Sequence, residues 1–336
     1  MSLKFFKQIP LSICFVSFAL AEINVYSHRH YESDKMLFKK FTNSTGIKVN
    51  IIKGSADQLI QRLQSEGENS PADVLLTVDA GRLVRAKNLG LLKSIKSDKL
   101  IKNVPEIMRD IENYWFGLSV RARVIVYAKD RVSKEELSTY EDLAKPKWKG
   151  RIVVRSSNNI YNQSLMASIL NANGTENALK WAKSVRKNMA RKPRGNDRDQ
   201  ARAVAAGIAD LAIINTYYLG LLANSSDKKD REVAKQLNVF FPNQNDRGTH
   251  INVSGGAVIA SSKNEKEAIK FLEFLTEEQN QQVFSQSNYE YPLDYQNTKA
   301  ETLMKWGKFK AEEIDLSILG HKNTEAVKLF DLAGWE

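Results

Sequence analysis

The stretches "LSVRARVIVYA" (residues 118–128) and "THINVSGGAVIA" (residues 249–260) decide the fold. Each is β-rich and long enough to run from one lobe of a protein into another, yet the two lie far apart in the chain. A pair of such strands forms a hinge, because the segments before and after each strand belong to different lobes. The two stretches therefore predict a two-lobed protein with a cleft between the lobes.

These two hinge strands also predict how the chain is divided. The first lobe is expected to contain residues 22–120 and 254–300, and the second lobe the inserted residues 121–253. Residues 301–336 are expected to form C-terminal helices, which the pattern assigns to neither lobe.

Short β-branched runs alternate with amphipathic helical stretches throughout this region. "INVYS" is typical of a first strand, and "DKMLFKKFTNSTG" of a helix that ends at Gly46. "SADQLIQRLQSEGENS" predicts a helix capped by Ser55, and "ADVLLTVD" a strand that follows it. The same alternation continues along the chain without an internal repeat. The sequence therefore predicts an α/β protein with mostly parallel sheets.

The first residues have the features of an export signal. A basic head, "MSLKFFKQ", precedes the apolar run "IPLSICFVSFALA", which is too short to span a bilayer. We expect residues 1–21 to be a signal peptide cleaved near Ala21, and the remaining chain of about 315 residues to be exported. Cleavage would remove Cys14, the one cysteine of the chain, so disulfides and thiolate chemistry are not expected.

The expected mature chain is basic. Removal of Lys4 and Lys7 leaves 48 basic against 39 acidic residues, a net charge of +9. Stretches such as "KNEKEAIK" place basic residues beside acids at helical spacing, which is typical of a solvated surface. The sequence contains no RNP-like, zinc-finger or helix-turn-helix pattern, so we expect no nucleic-acid partner.

Tyrosines are concentrated where strands are predicted to end, which is where ligands bind in parallel sheets. These residues are Tyr31 in "HRHY", Tyr161 in "SNNIYNQS", and Tyr217 with Tyr218 in "INTYYLG". Neighbouring side chains of a strand point to opposite faces. The adjacent pair can therefore share one task only if the strand has ended before it.

This concentration of phenols indicates a hard cation. A phenolate is an anionic oxygen donor, and a trivalent cation can displace its proton well below the free pKa of about 10. Ferric iron suits that chemistry. A single tyrosine at a strand end more often packs in the core or at its rim, so the pattern alone leaves packing open as the competing interpretation.

Longer stretches resemble a known family. The motifs "PADVLLTVDAGRL", "YEDLAKPKWKGRIVVRSSNNIYNQSL", "KNMARKPRGNDRDQARAVAAGIADLAIINTYYLG", "NVSGGAVIASSKNEKEAIKFLEFL", "NYEYPL" and "LFDLAGW" are similar to those of periplasmic ferric-iron-binding proteins that feed ABC transporters. The resemblance covers nearly the whole expected mature chain. It implies a type II periplasmic-binding-protein fold whose two lobes close on one Fe(III).

The resemblance also implies a function and a ligand set. The metal ligands of the family's tyrosine-rich branch correspond here to His30, Tyr31, Tyr161, Tyr217 and Tyr218. The implied protein is a monomeric extracytoplasmic receptor that delivers Fe(III) to an ABC iron-import permease. An enzyme is not expected, because no Ser/His/Asp set, paired carboxylates or phosphate-binding glycine loop is apparent in the sequence.

Two departures from the family pattern concern the charge of the site. Another branch has a glutamate ligand in the "ADVLLT" loop and uses an external anion, whereas this chain has Val78 and Asp79 there. We therefore expect iron binding without a bound anion. In the tyrosine-rich branch a basic residue can follow the paired tyrosines closely, whereas Leu221 and Leu222 follow Tyr217 and Tyr218 here.

Several roles near the site stay open. Arg121 in "SVRARV" is the first candidate for balancing the site's charge and Arg123 the alternative, with an ordinary ion pair as the competing interpretation. His28 is an alternative ligand to His30, although adjacency to Tyr31 favours His30.

Neighbouring segments are expected to support the site without binding metal. The loop "PRGNDRDQ" (Pro193 to Gln200) should shape the cleft wall. Tyr26, Tyr289 and Tyr291 should pack within the first lobe.

Two other functions also stay open. A receptor of the same fold for a polyamine or a small organic anion would use the tyrosines to stack on the ligand or hydrogen-bond to it, although the carboxylates that favour a polyamine are largely missing. An iron-sequestering protein that protects a membrane or photosynthetic complex would use the same ferric site as a transporter.

Overall fold

The structure is a computed structural model that describes residues 21–29 and 31–335. Residues 1–20 of the expected signal peptide, including Cys14, and the expected ligand His30 lie outside the described residues. The strands are β1 Glu22–Ser27, β2 Lys48–Lys53, β3 Val74–Thr77, β4 Phe116–Ala128, β5 Ile152–Val153, β6 Leu211–Asn215, β7 Leu237–Phe240 and β8 Ile251–Val258.

The helices fill most of the intervals between strands. In the first part of the chain they are α1 Glu32–Thr45, α2 Ala56–Glu66, α3 Ala80–Asn88 and α4 Asp98–Asn103. The middle part contains α5 Ile160–Asn188, α6 Asp197–Ala205, α7 Thr216–Ala223 and α8 Lys228–Gln236. The last part contains α9 Glu265–Leu275, α10 Glu278–Asn288, α11 Glu301–Met304, α12 Ile318–His321 and α13 Asn323–Ala333. The alternation confirms the α/β prediction.

Strand β4 is shared by two sets of strands. Its residues 116–122 pair with β8, which continues through β3 and β1 to β2. Its residues 123–128 pair with β6 and β7, and β6 in turn pairs with β5. All thirteen residues of β4 are buried. The strand therefore runs from one set into the other without leaving the core.

The expectation of mostly parallel sheets is wrong around β4 and β8. Parallel pairing joins β1 to β2, β1 to β3 and β5 to β6. In contrast, β4 and β8 pair antiparallel with each other and with their neighbours β3, β6 and β7. Parallel neighbours need a crossover such as α1 between β1 and β2, whereas β4 and β8 meet as two long strands that run in opposite directions.

Local signals fix several element ends as the sequence predicts. Helix α1 ends at Gly46, whose φ of 74° is left-handed and suits glycine. Helix α2 begins after Ser55, whose side chain accepts a hydrogen bond from the backbone N–H of Gln58. Helix α5 contains a non-helical kink at Gly174 (φ 76°). In the part of the chain that the structure describes, no helix is long and apolar enough to cross a membrane.

Candidate metal centre

The predicted tyrosines lie at the starts of three helices. Tyr31 immediately precedes α1, Tyr161 is the second residue of α5, and Tyr217 and Tyr218 occupy the first turn of α7. Strand β6 has ended at Asn215, so the adjacent pair follows helical geometry rather than strand alternation. Helix N-termini carry partial positive charge, which favours ionised phenols at these positions.

The four phenols come together in space. The hydroxyl of Tyr217 donates a hydrogen bond to the hydroxyl oxygen of Tyr161 at 3.3 Å. The ring centres of Tyr217 and Tyr218 lie 4.2 Å apart, and the ring of Tyr31 meets Tyr217 edge-on at 6.3 Å. Tyr31 belongs to the first segment of the chain and the other three belong to the inserted segment. The group therefore joins the two segments.

Burial favours the protonated form of Tyr31, Tyr217 and Tyr218. Loss of water contact raises the pKa of Tyr31, Tyr217 and Tyr218 above the ordinary tyrosine value. For Tyr217, repulsion from the neighbouring phenols Tyr161 and Tyr31 raises the pKa further. A positive charge bound among their oxygens would favour the ionised form of these three phenols.

Arg121 of β4 lies directly against the phenols, as the sequence suggests. Its guanidinium carbon is 5.3 Å from the ring centre of Tyr217 and 5.9 Å from that of Tyr161. The same guanidinium donates hydrogen bonds to Val78 O and Ser254 Oγ, and its Nε donates to Glu290 Oε1 at 2.8 Å. Arg121 is 1% exposed and ties the phenols to the first segment.

A second arginine, Arg29, completes this network and was not singled out from the sequence. Its guanidinium donates to Asp34 Oδ1 at 2.9 Å and to Glu290 Oε2 at 3.0 Å, and it lies 5.1 Å from the ring centre of Tyr31. Glu290 is fully buried, which opposes ionisation, yet Arg29 and Arg121 hold its pKa down at about 2. Arg29 follows the first strand in "HRHY", so the strand-end pattern could have found it.

A third polar cluster lies on the inserted segment. Arg123 donates to Asp197 Oδ2 at 3.0 Å and to Asn215 Oδ1 at 2.9 Å, and Arg155 Nη1 lies 3.5 Å from Asp197 Oδ1. The guanidinium carbons of Arg123 and Arg155 are 6.0 and 5.7 Å from the ring centre of Tyr161. Asp197, from the loop expected to shape the cleft wall, thus holds two arginines beside the phenols.

Asp79 does not lie among the phenols but bridges the two segments. It is the N-cap of α3, and its Oδ1 accepts a hydrogen bond from Gly81 N at 2.8 Å. Its Oδ2 accepts from Ser164 Oγ at 2.8 Å and from Asn252 Nδ2 at 2.6 Å. Burial raises the pKa of this carboxyl. Ser164 is one helical turn after Tyr161, so the bridge lies close to the phenol group.

The tyrosines near the site differ in their packing. Tyr26 and Tyr291 are buried, in agreement with their expected packing role. Tyr289 is partly buried and packs against α7 at Gly220. The contact is so close that a Cβ added to Gly220 would lie 2.5 Å from the Tyr289 Cβ. The segment around Glu290 therefore also contacts the helix that carries Tyr217.

The donor set of this centre is made of phenols. Within residues 21–29 and 31–335, no group of three or more His, Cys, Asp or Glu side chains is arranged to hold a metal ion. The donors here are phenol oxygens instead, which when ionised are the hard anionic donors that a trivalent cation prefers. The ligand roles of Tyr31, Tyr161, Tyr217 and Tyr218 stay predictions, as does that of His30.

Comparisons with known proteins agree with this picture. Residues 69–315 match the family model described as bacterial extracellular solute-binding protein. The chain is 50% identical to iron uptake protein A1 of Synechocystis sp. over 94% of this chain and 88% of that protein. It is 32% identical to the major ferric iron-binding protein of Neisseria meningitidis, over 94% of each.

Solved structures show the same relationship. A Trichodesmium protein in complex with iron and citrate superposes with a TM-score of 0.91 at 51% identity, over 94% of this chain and all of that one. The ferric binding protein from Campylobacter jejuni superposes with a TM-score of 0.88 at 45% identity, again over 94% of this chain and all of that one. The chain therefore belongs to the bacterial extracellular solute-binding protein family, in the group that contains the iron uptake and ferric iron-binding proteins.

Proposed function

We propose that this protein is an extracytoplasmic receptor that binds one Fe(III) between two lobes and delivers it to an ABC iron-import permease. The observation that carries the proposal is the meeting of four phenols from three helix starts. The hydroxyl oxygens of Tyr217 and Tyr161 lie 3.3 Å apart, and the ring centres of Tyr217 and Tyr31 lie 6.3 Å apart. In this proposal, residues 22–120 and 254–300 form one lobe and residues 121–253 the other.

Fe(III) is the cargo that suits this donor set. Phenolates are hard oxygen donors, and the ferric ion is charged enough to replace the protons that burial otherwise retains on Tyr217 and Tyr218. The names of the relatives, which include ferric iron-binding proteins of Neisseria and Serratia, support the same cargo. A polyamine would need carboxylates around it, and the described site presents arginines to its phenols instead.

The same arrangement supports transport rather than catalysis. The ligands Tyr31 and Tyr217 come from different lobes, so binding would close the cleft and release would open it. In this proposal the protein is exported to the periplasm after cleavage near Ala21, and the closed, loaded form is what the permease recognises.

The experiment that tests the cargo is a titration of the purified protein with Fe(III) supplied as a weak chelate. Phenolate-to-Fe(III) charge transfer should colour the loaded protein orange to purple, and the colour should fade on reduction to Fe(II). Full ferric occupancy without visible absorbance would refute the tyrosine site. For delivery, the loaded protein should stimulate ATP hydrolysis by its cognate permease in proteoliposomes more than the iron-free protein does.

A further inference from the structure

The charges around the four phenols divide into two groups of different net charge. Where the first segment meets β4, Arg29 and Arg121 contact Asp34 and Glu290, so two positive charges meet two negative ones. All four of these side chains are buried. This group is therefore neutral as a whole, although Arg121 lies close to Tyr217.

The group on the inserted segment is positive. Arg123 and Arg155 both contact Asp197, so two positive charges share one carboxylate among the described side chains. Arg123 is held closely, because it also donates to Asn162 Oδ1 at 2.6 Å and to Asn215 Oδ1 at 2.9 Å. Arg155 is held more loosely, at 3.5 Å from Asp197, and the side chain is 17% exposed. The surplus charge is thus located at the arginine nearest to Tyr161.

Arg155 is directed toward the phenols as well as toward Asp197. Its guanidinium carbon lies 5.7 Å from the ring centre of Tyr161, the shortest of the three arginine distances to that ring. Its charge therefore lies beside Tyr161, one of the four expected ligands.

We propose that Arg155 supplies the positive charge that balances the loaded ferric site. The inference rests on the proposed function, because Fe(III) with four phenolates carries a net charge of −1. The surplus of +1 at Arg123, Arg155 and Asp197 cancels that charge within the protein. Such internal compensation removes the need for a basic residue after the paired tyrosines, where this chain has Leu221 and Leu222.

The test compares Arg155→Gln with Arg155→Lys by Fe(III) competition against a chelator. Unit charges about 6 Å apart at an effective dielectric constant of about 20 predict that Arg155→Gln weakens iron binding roughly a hundredfold. Arg155→Lys keeps the charge and should bind within about tenfold of the unmodified protein. Because Arg155 is partly exposed, both variants should fold, which thermal unfolding of the iron-free proteins will show.

The matched control is Arg202→Gln. Arg202 lies on α6, the helix that carries Asp197, but its side chain is 43% exposed and pairs with Asp199 and Asp230. Removal of this charge should leave iron affinity unchanged. Equal affinity of Arg155→Gln and the unmodified protein would overturn the inference, and so would equal weakening by Gln and Lys. If the unmodified protein develops no charge-transfer band, the proposed function fails first.

Discussion

Ser164 Oγ donates a hydrogen bond to Asp79 Oδ2 at 2.8 Å, and this contact joins the first segment of the chain to the helix that carries Tyr161. The carboxylate is fully buried and also accepts hydrogen bonds from Gly81 N and Asn252 Nδ2. The acidic residue of the loop after β3 is thus engaged in a contact between segments.

The Asp79 contact predicts an effect on iron release. Ser164→Ala removes one hydrogen bond between the proposed lobes, while two donors still satisfy Asp79, so the fold should lose only about 1 kcal/mol. If that energy is lost from the closed form, Fe(III) should transfer to a competing chelator about fivefold faster. Stopped-flow absorbance at the charge-transfer band measures the rate. Ser65→Ala is the control, since its hydroxyl donates within α2, to Gln61 O. Equal rates for Ser164→Ala and the unmodified protein would show that the contact does not hold the cleft closed.

The ligand set predicts a ranking of substitutions. Tyr217→Phe and Tyr218→Phe each remove an anionic donor, whereas His30→Ala removes a donor that is neutral when bound to metal. Both tyrosine variants should therefore weaken Fe(III) binding more than His30→Ala does. Chelator competition gives the three affinities, and Tyr295→Phe, a tyrosine that packs against Phe309, serves as the control. A larger loss for His30→Ala than for either tyrosine variant would reverse the assigned roles.

Glu290 predicts a pH-dependent contribution to folding. Glu290→Gln leaves Arg29 and Arg121 without their shared counter-charge in a buried site, which should cost about 3–5 kcal/mol of unfolding free energy at pH 7. The folded pKa of about 2 lies below the unfolded value of about 4.3. This stabilisation is therefore complete above about pH 4.3 and is lost as the pH falls toward 2.

Urea unfolding of the iron-free proteins at pH 7, 4 and 3 measures this difference. The difference in unfolding free energy between Glu290→Gln and the unmodified protein should be smaller at pH 4 and pH 3 than at pH 7. Glu301→Gln is the control, because Glu301 forms an exposed pair with Lys305 and should matter little at any pH. A gap that stays constant from pH 7 to 3 would mean that the Glu290 charge does not stabilise the fold.

The sequence predicted the parts of the site that depend on local pattern. Strand ends and helix starts follow from periodicity and caps, which placed Tyr31, Tyr161 and the adjacent Tyr217 and Tyr218 together. Pairings between distant residues carry no such signal. Arg29 and Glu290 are separated by 261 positions, and nothing local in "NYEYPL" indicates that its glutamate is buried between arginines.

Strand direction was mispredicted for a similar reason. Apolar runs such as "LSVRARVIVYA" look alike in parallel and antiparallel sheets, because burial on both faces removes the alternation that would distinguish them. Arg121 and Arg123, two residues apart on one face of β4, were named from the sequence as alternatives, but their partners were not. Their different partners, Glu290 and Asp197, are tertiary contacts that only the fold determines.

The last prediction concerns proton release on loading. Burial raises the pKa of Tyr31, Tyr217 and Tyr218, so these phenols hold their protons at neutral pH until Fe(III) displaces them. Several protons should therefore leave for each iron bound, and affinity should fall steeply with pH, by about 1.4 kcal/mol per pH unit for each proton.

The number of protons released per iron is measured by a titration of iron occupancy against pH at fixed chelator, corrected for the chelator's own protons. Tyr161→Phe, which removes one ionisable ligand, should release about one proton fewer, and small-angle scattering should show the cleft opening over the same pH range. A polyamine receptor would show no multi-proton dependence. A slope below about one proton per iron would rule out binding by several tyrosinates, because each phenolate ligand must lose its proton before it can coordinate the metal.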